Sequence, residues 1–225
     1  MSSGTAGAPY DEDVAATNTT RAGATRPADK YDQRRAELAE SALVTLGAMG
    51  YARTSLREIA NNSAFSHGVV HYYFQDKLEL VIYSVRHYKA RCVTRYDAVV
   101  RDSTTPAELV DAFAAKLIET IRDEAPMHRL WYDLRTQSMF EEPLRAAVTE
   151  IDQTLLDMIW RVVTRYADLA GRPAAVEPAA AYGMLDGLFQ QALLSHHQQV
   201  PLDGLADQVR AIMPLMLTPR ASTSG

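Results

Sequence analysis

The chain has 225 residues, of which 47% are hydrophobic and 23% charged, a composition typical of a globular protein with one or two domains. No apolar run approaches the roughly 20 residues of a membrane-spanning helix, and the polar N-terminus lacks the apolar segment of a signal peptide. The single cysteine, Cys92, excludes an internal disulfide and fits a reducing compartment. These features predict a soluble, cytoplasmic protein with no membrane partner.

The net charge of −5 is distributed unevenly along the chain. Residues 21–77 contain eight Lys or Arg and six Asp or Glu, whereas residues 78–225 contain 15 and 19. The first of these segments is the less acidic one, but it is not strongly basic. Charge therefore permits nucleic-acid binding there without indicating it, and any such binding would depend on a few well-placed contacts.

Residues 1–30 are rich in Ala, Thr, Gly and Ser and have no apolar period, so they are predicted to be a disordered extension. Arg21, Arg26 and Lys30 leave two alternatives open. They form an arm along a nucleic acid, or they belong to a solvated tail that contacts nothing, which is the usual state of an untethered terminus.

The first predicted helix spans about 31–49 and stops at Gly50. Leu38, Ala42, Leu46 and Met49 recur there at helical spacing.

The segment from Thr54 to Leu80 predicts two short helices joined by a tight turn. Ser55 and Glu58 have the spacing of a capping box that starts the first of them. Ser66 is the candidate N-cap of the second, in which Val70 and Phe74 lie four apart on the buried side. This arrangement is the one that presents a second helix to the DNA major groove.

The rest of the chain is predicted to be entirely helical. Asp76 is the candidate N-cap of a long helix that runs to about Arg101, with Lys89 and the other cations of its middle on the solvated face. No segment alternates as a strand would, no repeat is present, and prolines precede several periodic segments. Further helices are predicted at about 106–122, 127–140, 143–170, 177–198 and 203–217, which makes the fold class all-α with a helical bundle.

The segment from Met127 to Phe140 mixes bulky, soft and aromatic side chains with His, Asp and Arg. With Met158, Tyr166 and Tyr182 from neighbouring helices, these side chains would line a mostly apolar pocket with a few polar anchors. The alternative is that they are ordinary core residues.

Two glycines four apart, Gly183 and Gly187, interrupt a predicted helix although glycine costs about 1 kcal/mol relative to alanine there. They would form a smooth strip that allows another helix to approach closely.

The sequence gives little evidence for a metal site or an enzymatic active site. His67 and His71 have a spacing that can bind a metal, but no third ligand accompanies them. No Gly-rich phosphate loop, nucleophile elbow or paired carboxylates are present. The sequence therefore predicts no metal, no cofactor and no enzymatic activity.

The segment from Gly50 to Lys77 resembles the DNA-binding signature of the TetR family of transcriptional regulators. The matching elements are Gly50-Tyr51, Thr54-Ser55, Ile59-Ala60, Ser66-His67-Gly68, Tyr72-Tyr73-Phe74 and Lys77. Two positions depart from the family pattern. Ala64 stands where the turn usually carries glycine, so a positive φ there would be strained. Val69 stands where a hydroxyl residue is frequent, which bears on the base that is read.

The resemblance implies a three-helix head and a C-terminal domain that binds a ligand and dimerises. The expected boundaries are 1–30 for the disordered extension, 31–76 for the DNA-binding domain, 77–217 for the ligand-binding and dimerisation domain, and 218–225 for a disordered tail. The chain would be a homodimeric repressor released from a palindromic operator in double-stranded DNA by a small-molecule effector. Residues 68–74 and the Trp131 region are similar to the branch that contains choline and betaine regulators. Two alternatives are a ligand-independent regulator controlled by a partner protein and a helical interaction scaffold.

The resemblance also implies which residues act. DNA would be contacted by Thr54, Ser55, Ser66, His67, Gly68, Val69, His71, Tyr72, Tyr73 and Lys77. The effector would be bound by Met127, His128, Trp131, Tyr132, Arg135, Phe140, Met158, Tyr166 and Tyr182. The dimer interface would contain Gly183, Leu185, Gly187, Leu188, Val209, Ile212 and Met216.

Overall fold

A computed structural model describes residues 27–219. The predictions of a disordered N-terminal extension with Arg21 and Arg26, and of a disordered C-terminal tail, fall mostly outside these residues. Within 27–219 the chain contains α-helices, one short 3-10 helix and no strand; Ala174 and Leu217 form an isolated bridge. The helices are α1 (Pro27–Met49), α2 (Leu56–Asn61), α3 (His67–Tyr73), α4 (Lys77–Cys92), α5 (Asp97–Asp102), α6 (Pro106–Gln137), α7 (Glu142–Ala170), α8 (Pro178–His197) and α9 (Asp203–Ile212).

Helices α1, α2 and α3 form the N-terminal head. The predicted capping box is confirmed, because Ser55 Oγ accepts the N–H of Glu58 and the Glu58 carboxylate accepts the N–H of Ser55. Ser66 Oγ accepts the N–H of Val69 at 3.3 Å, as predicted for an N-cap. Ala64 does not adopt a positive φ, so the expected strain in the turn is absent. Helix α1 begins at Pro27, four residues before the predicted start.

The head is held together by apolar side chains that all three helices contribute. Leu38 and Leu46 of α1, Ile59 of α2 and Val70 of α3 are fully buried, and Phe74 follows α3 into the same cluster. Burying each large side chain contributes about 1.5–3 kcal/mol. The inward face of α3 is thereby fixed, which leaves its opposite face to solvent.

The long helix predicted from Asp76 to about Arg101 is broken into α4 and α5. Asp76 caps α4 as predicted, accepting the N–H of Glu79 at 2.8 Å. The helix ends at Cys92, where Val93 and Thr94 bring low helical propensity. Arg161 of α7 donates to the Val93 carbonyl at 2.5 Å and so satisfies a group released at the helix end.

The helices predicted at 106–122 and 127–140 lie on either side of a kink within α6, which ends at Gln137. It is kinked at Glu124, whose φ of −129° is not helical. Pro126 lacks an N–H and its ring crowds the preceding turn, so it bends the helix without ending it. The residues from Ala125 to Gln137 are called the distal half of α6 below.

The remaining helices agree with prediction to within a residue or two, except the last. The segment predicted as one helix from 203 to 217 consists of α9 and a 3-10 helix, Met213–Met216, in which Pro214 cannot continue the α-helical bonding. Helices α4 to α9 form a bundle, and α4 also packs against α1 of the head. None of the helices between residues 27 and 219 is long and apolar enough to cross a membrane.

Candidate functional site

The outward face of α3 carries most of the side chains predicted to contact DNA. Ser66, His67, Gly68, His71 and Tyr72 are exposed, Tyr72 to 73%. The rings of His67 and His71 lie 4.4 Å apart, one helical turn from each other. The helix therefore presents imidazole, phenol and hydroxyl groups together with an exposed glycine backbone.

Three other predicted residues flank this face. Val69 and Tyr73 are half-buried, and the Tyr73 ring packs 4.9 Å from the ring of Tyr31 in α1. Ser55 is exposed, but its hydroxyl caps α2.

The prediction that Thr54 contacts DNA is wrong for its side chain. Thr54 is only 2% exposed, and its hydroxyl donates to the Gly50 carbonyl at 2.7 Å. This bond ties the segment between α1 and α2 to the end of α1. Thr54 thus shapes the head from within.

Lys77 stands at the start of α4, where it holds the head against that helix. Its Nζ donates to the Tyr51 carbonyl at 2.6 Å and lies 4.0 Å from the centre of the Tyr51 ring. Burial lowers the pKa of Lys77. An ammonium group has three donors, so this contact leaves it able to contact a phosphate as well.

A cavity of about 70 Å³ lies between α4, α6, α7 and α8. Five residues predicted to bind an effector border it, namely His128, Trp131, Tyr132, Met158 and Tyr182. The distal half of α6 contributes the first three, α7 the fourth and α8 the fifth. Leu117, Leu155 and Ile159 add apolar wall. The mixed apolar and polar lining expected from the sequence is therefore present.

Four residues predicted to bind the effector do not border the cavity. Phe140 lies beyond the end of α6 and is 80% exposed. Met127 is half-buried on the side of α6 that faces Gly47 of the head. Tyr166 is buried in the core further along α7. Arg135 lies behind the cavity wall, where it forms ion pairs with Asp186 at 2.6 Å and Asp152 at 3.3 Å.

Sequence reasoning does not find the contribution of α4 to the cavity. Lys89 and Cys92 border it, as do Arg95 and Tyr96 after the helix and Leu185, Asp186 and Phe189 of α8. The expectation that Lys89 lies on the solvated face of α4 is wrong, because it is only 3% exposed. Its position four residues after Val85 and three before Cys92, both in the apolar stripe, is the signal in the sequence that indicates burial.

Lys89 and His128 are the titratable groups most affected by burial at the cavity. Burial lowers the pKa of Lys89 to about 8, and its Nζ lies 4.9 Å from the Trp131 ring. Burial, reinforced by Lys89 and Arg95, lowers the pKa of His128 well below its usual range, so that imidazole is neutral. The cavity therefore has one ammonium group in its lining, beside a neutral imidazole and an indole ring.

The carboxylates around the cavity are already bonded within the protein. Glu124 pairs with Arg95 at 2.7 Å and also accepts the hydroxyl of Tyr88. Asp186 accepts the Tyr132 hydroxyl at 2.9 Å and pairs with Arg135.

The distal half of α6 connects the cavity to the head. Arg129, next to His128, donates to the Gly47 carbonyl. Asp133, next to Tyr132, accepts the N–H of Tyr51 at 2.7 Å. The two helices approach so closely that a Cβ on Gly47 would lie 2.3 Å from Met127 Cε and 3.2 Å from Pro126 Cβ. One half-helix therefore contacts both the cavity and the head.

The predicted dimer residues divide into two groups. Gly183 and Gly187 are exposed on α8, with open space around each, while Leu188 and Ile212 are half-buried. The other three assignments are wrong, because these side chains face the chain's own core. Leu185, Val209 and Met216 are each 2% exposed or less.

A comparison with protein-family models matches residues 38–83 to the bacterial regulatory proteins of the tetR family. The transcriptional regulator BetI of Burkholderia mallei (strain NCTC 10229) is 28% identical over 174 residues, which cover 76% of this chain and 85% of the relative. BetI of Paraburkholderia xenovorans (strain LB400) is 26% identical over 165 residues, covering 72% and 83%.

Over residues 38–83 the chain matches the TetR family, and over most of its length it is similar to BetI. It is a helix-turn-helix regulator that binds DNA, with α2 and α3 as the two helices of the motif. The BetI relatives agree with the branch that the sequence predicted.

Solved structures confirm the fold of this TetR-family protein. A TetR transcription regulator from Haloarcula marismortui ATCC 43049 superposes with a TM-score of 0.67 at 17% identity, covering 83% of this chain and all of that one. A transcriptional regulator from Saccharomonospora viridis, solved in complex with choline, superposes with a TM-score of 0.67 at 15% identity, covering 84% and 100%. An N-terminal helix-turn-helix head on a helical C-terminal domain is the shared architecture.

Proposed function

We propose that this TetR-family regulator is a homodimeric repressor that leaves a palindromic operator when a small molecule occupies the cavity between α4, α6, α7 and α8. The observation that carries the proposal is the double role of the distal half of α6. His128, Trp131 and Tyr132 border the cavity, while Arg129 and Asp133 bond to the head.

A ligand in the cavity would press on side chains whose backbone also holds the head. The walls of the cavity are close-packed, so side chains that rearrange to contact a ligand also move their neighbours. A shift of the distal half of α6 would carry the Gly47 and Tyr51 contacts with it. The resulting coupling between the two sites is expected to be about 1–3 kcal/mol.

The operator would be read by the outward face of α3. Tyr72 and His71 lie on the exposed face of α3 and would contact base edges. The backbone near Ser66 and Gly68, together with Lys77, would contact phosphates, which positions the helix without selecting sequence.

Dimerisation would place the two copies of α3 on one DNA duplex. The exposed side of α8 presents Ala180, Gly183 and Gly187, which are small enough for a second helix to pack closely. A two-fold axis there repeats the reading face, so the operator would be a palindrome with half-sites one helical turn apart or multiples of it.

The test is a gel shift of the purified protein against the DNA upstream of its own gene, with random DNA as competitor. Binding that survives the competitor supports a specific operator, and footprinting of the bound fragment then shows whether the site is palindromic. Binding that random DNA abolishes contradicts specific reading at that site.

A cavity-filling variant tests the link to a ligand. Ile159→Phe adds bulk to the cavity wall and should occupy the space without altering α3. If effectors identified by release of the wild-type protein also release this variant, the cavity is not the effector site.

A further inference from the structure

We propose that the cavity binds a small organic carboxylate through the ammonium group of Lys89. This inference rests on the proposed function, since it names the effector class of the same cavity. It follows from which polar atoms at the cavity are bonded within the protein and which are not.

Three polar groups at the cavity have no hydrogen-bond partner among the residues that the structure describes. Trp131 Nε1, an obligate donor, and His128 Nε2 are both fully enclosed and unpaired. Lys89 Nζ makes only ring contacts, with Trp131 at 4.9 Å and Tyr88 at 5.6 Å. All three residues are more than nine-tenths buried. An unsatisfied buried donor is destabilising, more so when it is charged, so the site favours a ligand that supplies acceptors.

The carboxylates near Lys89 do not supply the missing hydrogen-bond acceptors. Asp186 is engaged by Tyr132 and Arg135, and Glu124 by Tyr88 and Arg95. Each of these carboxylates has a cation of its own, which leaves the ammonium of Lys89 as the uncompensated charge of the cavity. A bound carboxylate would neutralise it and accept its N–H groups.

A cationic ligand fits these groups poorly, although aromatic rings surround the cavity. Cation–π binding requires a free ring face. The ring of Trp131 already has Lys89 Nζ over it, and Arg135 lies 5.8 Å from the ring centre of Tyr132 and 6.0 Å from that of Tyr182. A quaternary ammonium ion such as the choline bound to the Saccharomonospora viridis protein would here enter among like charges.

The size and walls of the cavity limit the rest of the ligand. A volume of about 70 Å³ admits a ligand with only a few non-hydrogen atoms. Opposite the polar groups, Leu155, Met158 and Ile159 of α7 form an apolar wall. A short branched or cyclic hydrocarbon group attached to the carboxylate would pack there.

The test is isothermal titration of the full chain with four probes of similar size. Isovalerate, isovaleramide and isoamylamine share one branched group and differ in charge, and choline represents the quaternary ammonium class. Isovalerate is expected to bind at least about tenfold more tightly than isovaleramide, the effect of one hydrogen bond to a charged group. Isoamylamine and choline should bind more weakly than the amide.

Two variants assign the preference to Lys89. Lys89→Met keeps a chain of similar length without charge, and it should abolish the preference of the protein for isovalerate over isovaleramide. Lys116→Met makes the same substitution at a partly exposed lysine of α6 that does not border the cavity, and it should retain the preference.

The outcomes separate the ligand class from the proposed function. Three results would overturn the carboxylate assignment. The first is equal or tighter binding of the amide or of either cation, the second is binding of no probe, and the third is a preference that survives in Lys89→Met. The operator gel shift on the same preparations tests the regulator independently. If specific DNA binding accompanies any of these results, the proposal of a DNA-binding regulator is retained and only the proposed ligand class is wrong.

Discussion

The carboxylate of Asp133 accepts the backbone N–H of Tyr51 at 2.7 Å across 82 positions of the sequence. Tyr51 follows Gly50, which ends α1 with a φ of +79° and so turns the chain toward α6. A Cβ on Gly50 would lie 3.2 Å from the same carboxylate. The end of the head's first helix is therefore fastened to the distal half of α6, next to the cavity.

Loss of the Asp133 contact should weaken the junction between head and bundle. Asp133→Ala leaves the Tyr51 N–H without its charged acceptor, so we expect the free energy of unfolding to fall by about 1–3 kcal/mol. Asp133→Asn keeps an acceptor oxygen and should lose less. Operator affinity should change with Asp133→Ala, because the orientation of the head is no longer fixed. Urea unfolding and gel shifts measure the two effects.

Asp123 supplies the control for this prediction. It is an exposed acid on the same helix, before the kink, so Asp123→Ala should leave both stability and operator affinity near those of the wild type. Equal unfolding free energies for Asp133→Ala and the wild type would show that the bond does not support the junction.

His71 and Tyr72 should separate specific from non-specific DNA binding. Both side chains are exposed, so His71→Ala and Tyr72→Ala are expected to leave the melting temperature unchanged. If these side chains read bases as proposed, each substitution should weaken operator binding by about 1–3 kcal/mol, with a smaller effect on random DNA. Fluorescence anisotropy with labelled operator and random duplexes measures the two affinities.

His197→Ala is the matched control, since His197 is an exposed histidine at the end of α8 and outside the helix-turn-helix motif. A parallel loss of operator and random-duplex affinity in the α3 variants would indicate phosphate contacts and would refute base reading by these side chains.

Local signals in the sequence are sufficient for the head and for most helix positions. Ser55, Glu58, Ser66 and Asp76 cap helices through contacts made within three residues, so spacing alone predicts them. Tertiary contacts account for the errors. The break after Cys92 depends in part on Arg161, which donates to Val93 from 68 positions away.

The site is harder to predict because periodicity indicates that a side chain is buried but not what covers it. Val209 and Met216 lie on a genuine apolar stripe, yet that stripe packs on the chain's own bundle and not on a second copy. Lys89 lies among apolar residues of α4, but a lysine is seldom buried, so composition points to solvent. Its spacing places it in the apolar stripe, but only the packing of α4 against the other cavity helices shows what covers it.

The glycines of α8 should be sensitive to bulk if they form the dimer interface. Gly187 is exposed with open space around it, so Gly187→Arg causes no clash within one chain and should raise helical propensity by about 1 kcal/mol. Across a two-fold interface it would place two guanidinium groups against each other. We therefore expect monomers in analytical ultracentrifugation and a loss of operator binding without a loss of thermal stability.

Ala90→Arg, at an exposed position of α4, tests whether added charge alone has this effect. It should remain dimeric. A dimeric Gly187→Arg protein would place the interface elsewhere.

The buried ammonium of Lys89 should lower the free energy of unfolding at neutral pH, relative to a protein with an uncharged side chain at this position. Burial lowers the pKa of Lys89 from its ordinary 10.5 to about 8. Between these values the unfolded chain holds the proton and the folded chain releases it, so the contribution of Lys89 to the free energy of unfolding rises with pH. Below about pH 8 the full penalty applies, about 3 kcal/mol from the shift.

Lys89→Met should remove this penalty and the cation–π contact with Trp131 together, the latter about 1 kcal/mol. We expect the variant to be more stable than the wild type by about 2 kcal/mol at neutral pH, with the gain vanishing toward pH 10. Other groups facing the ammonium also titrate, so the difference between the two proteins is the quantity to follow. These groups are Tyr88, Cys92, Arg95 and Tyr96 from α4 and its end, Glu124, His128 and Tyr132 on α6, and Tyr182 and Asp186 on α8.

Urea unfolding of the wild type and of Lys89→Met between neutral pH and pH 10 measures this difference. Lys116→Met is the control and should have the same pH profile as the wild type. A parallel pH profile for Lys89→Met and the wild type would mean that Lys89 keeps its proton when folded. A carboxylate ligand would then meet a fully charged lysine at every pH tested. If the profiles instead converge as the pH rises, the ammonium costs free energy in the empty cavity. An anion that restores its proton would recover that cost on binding.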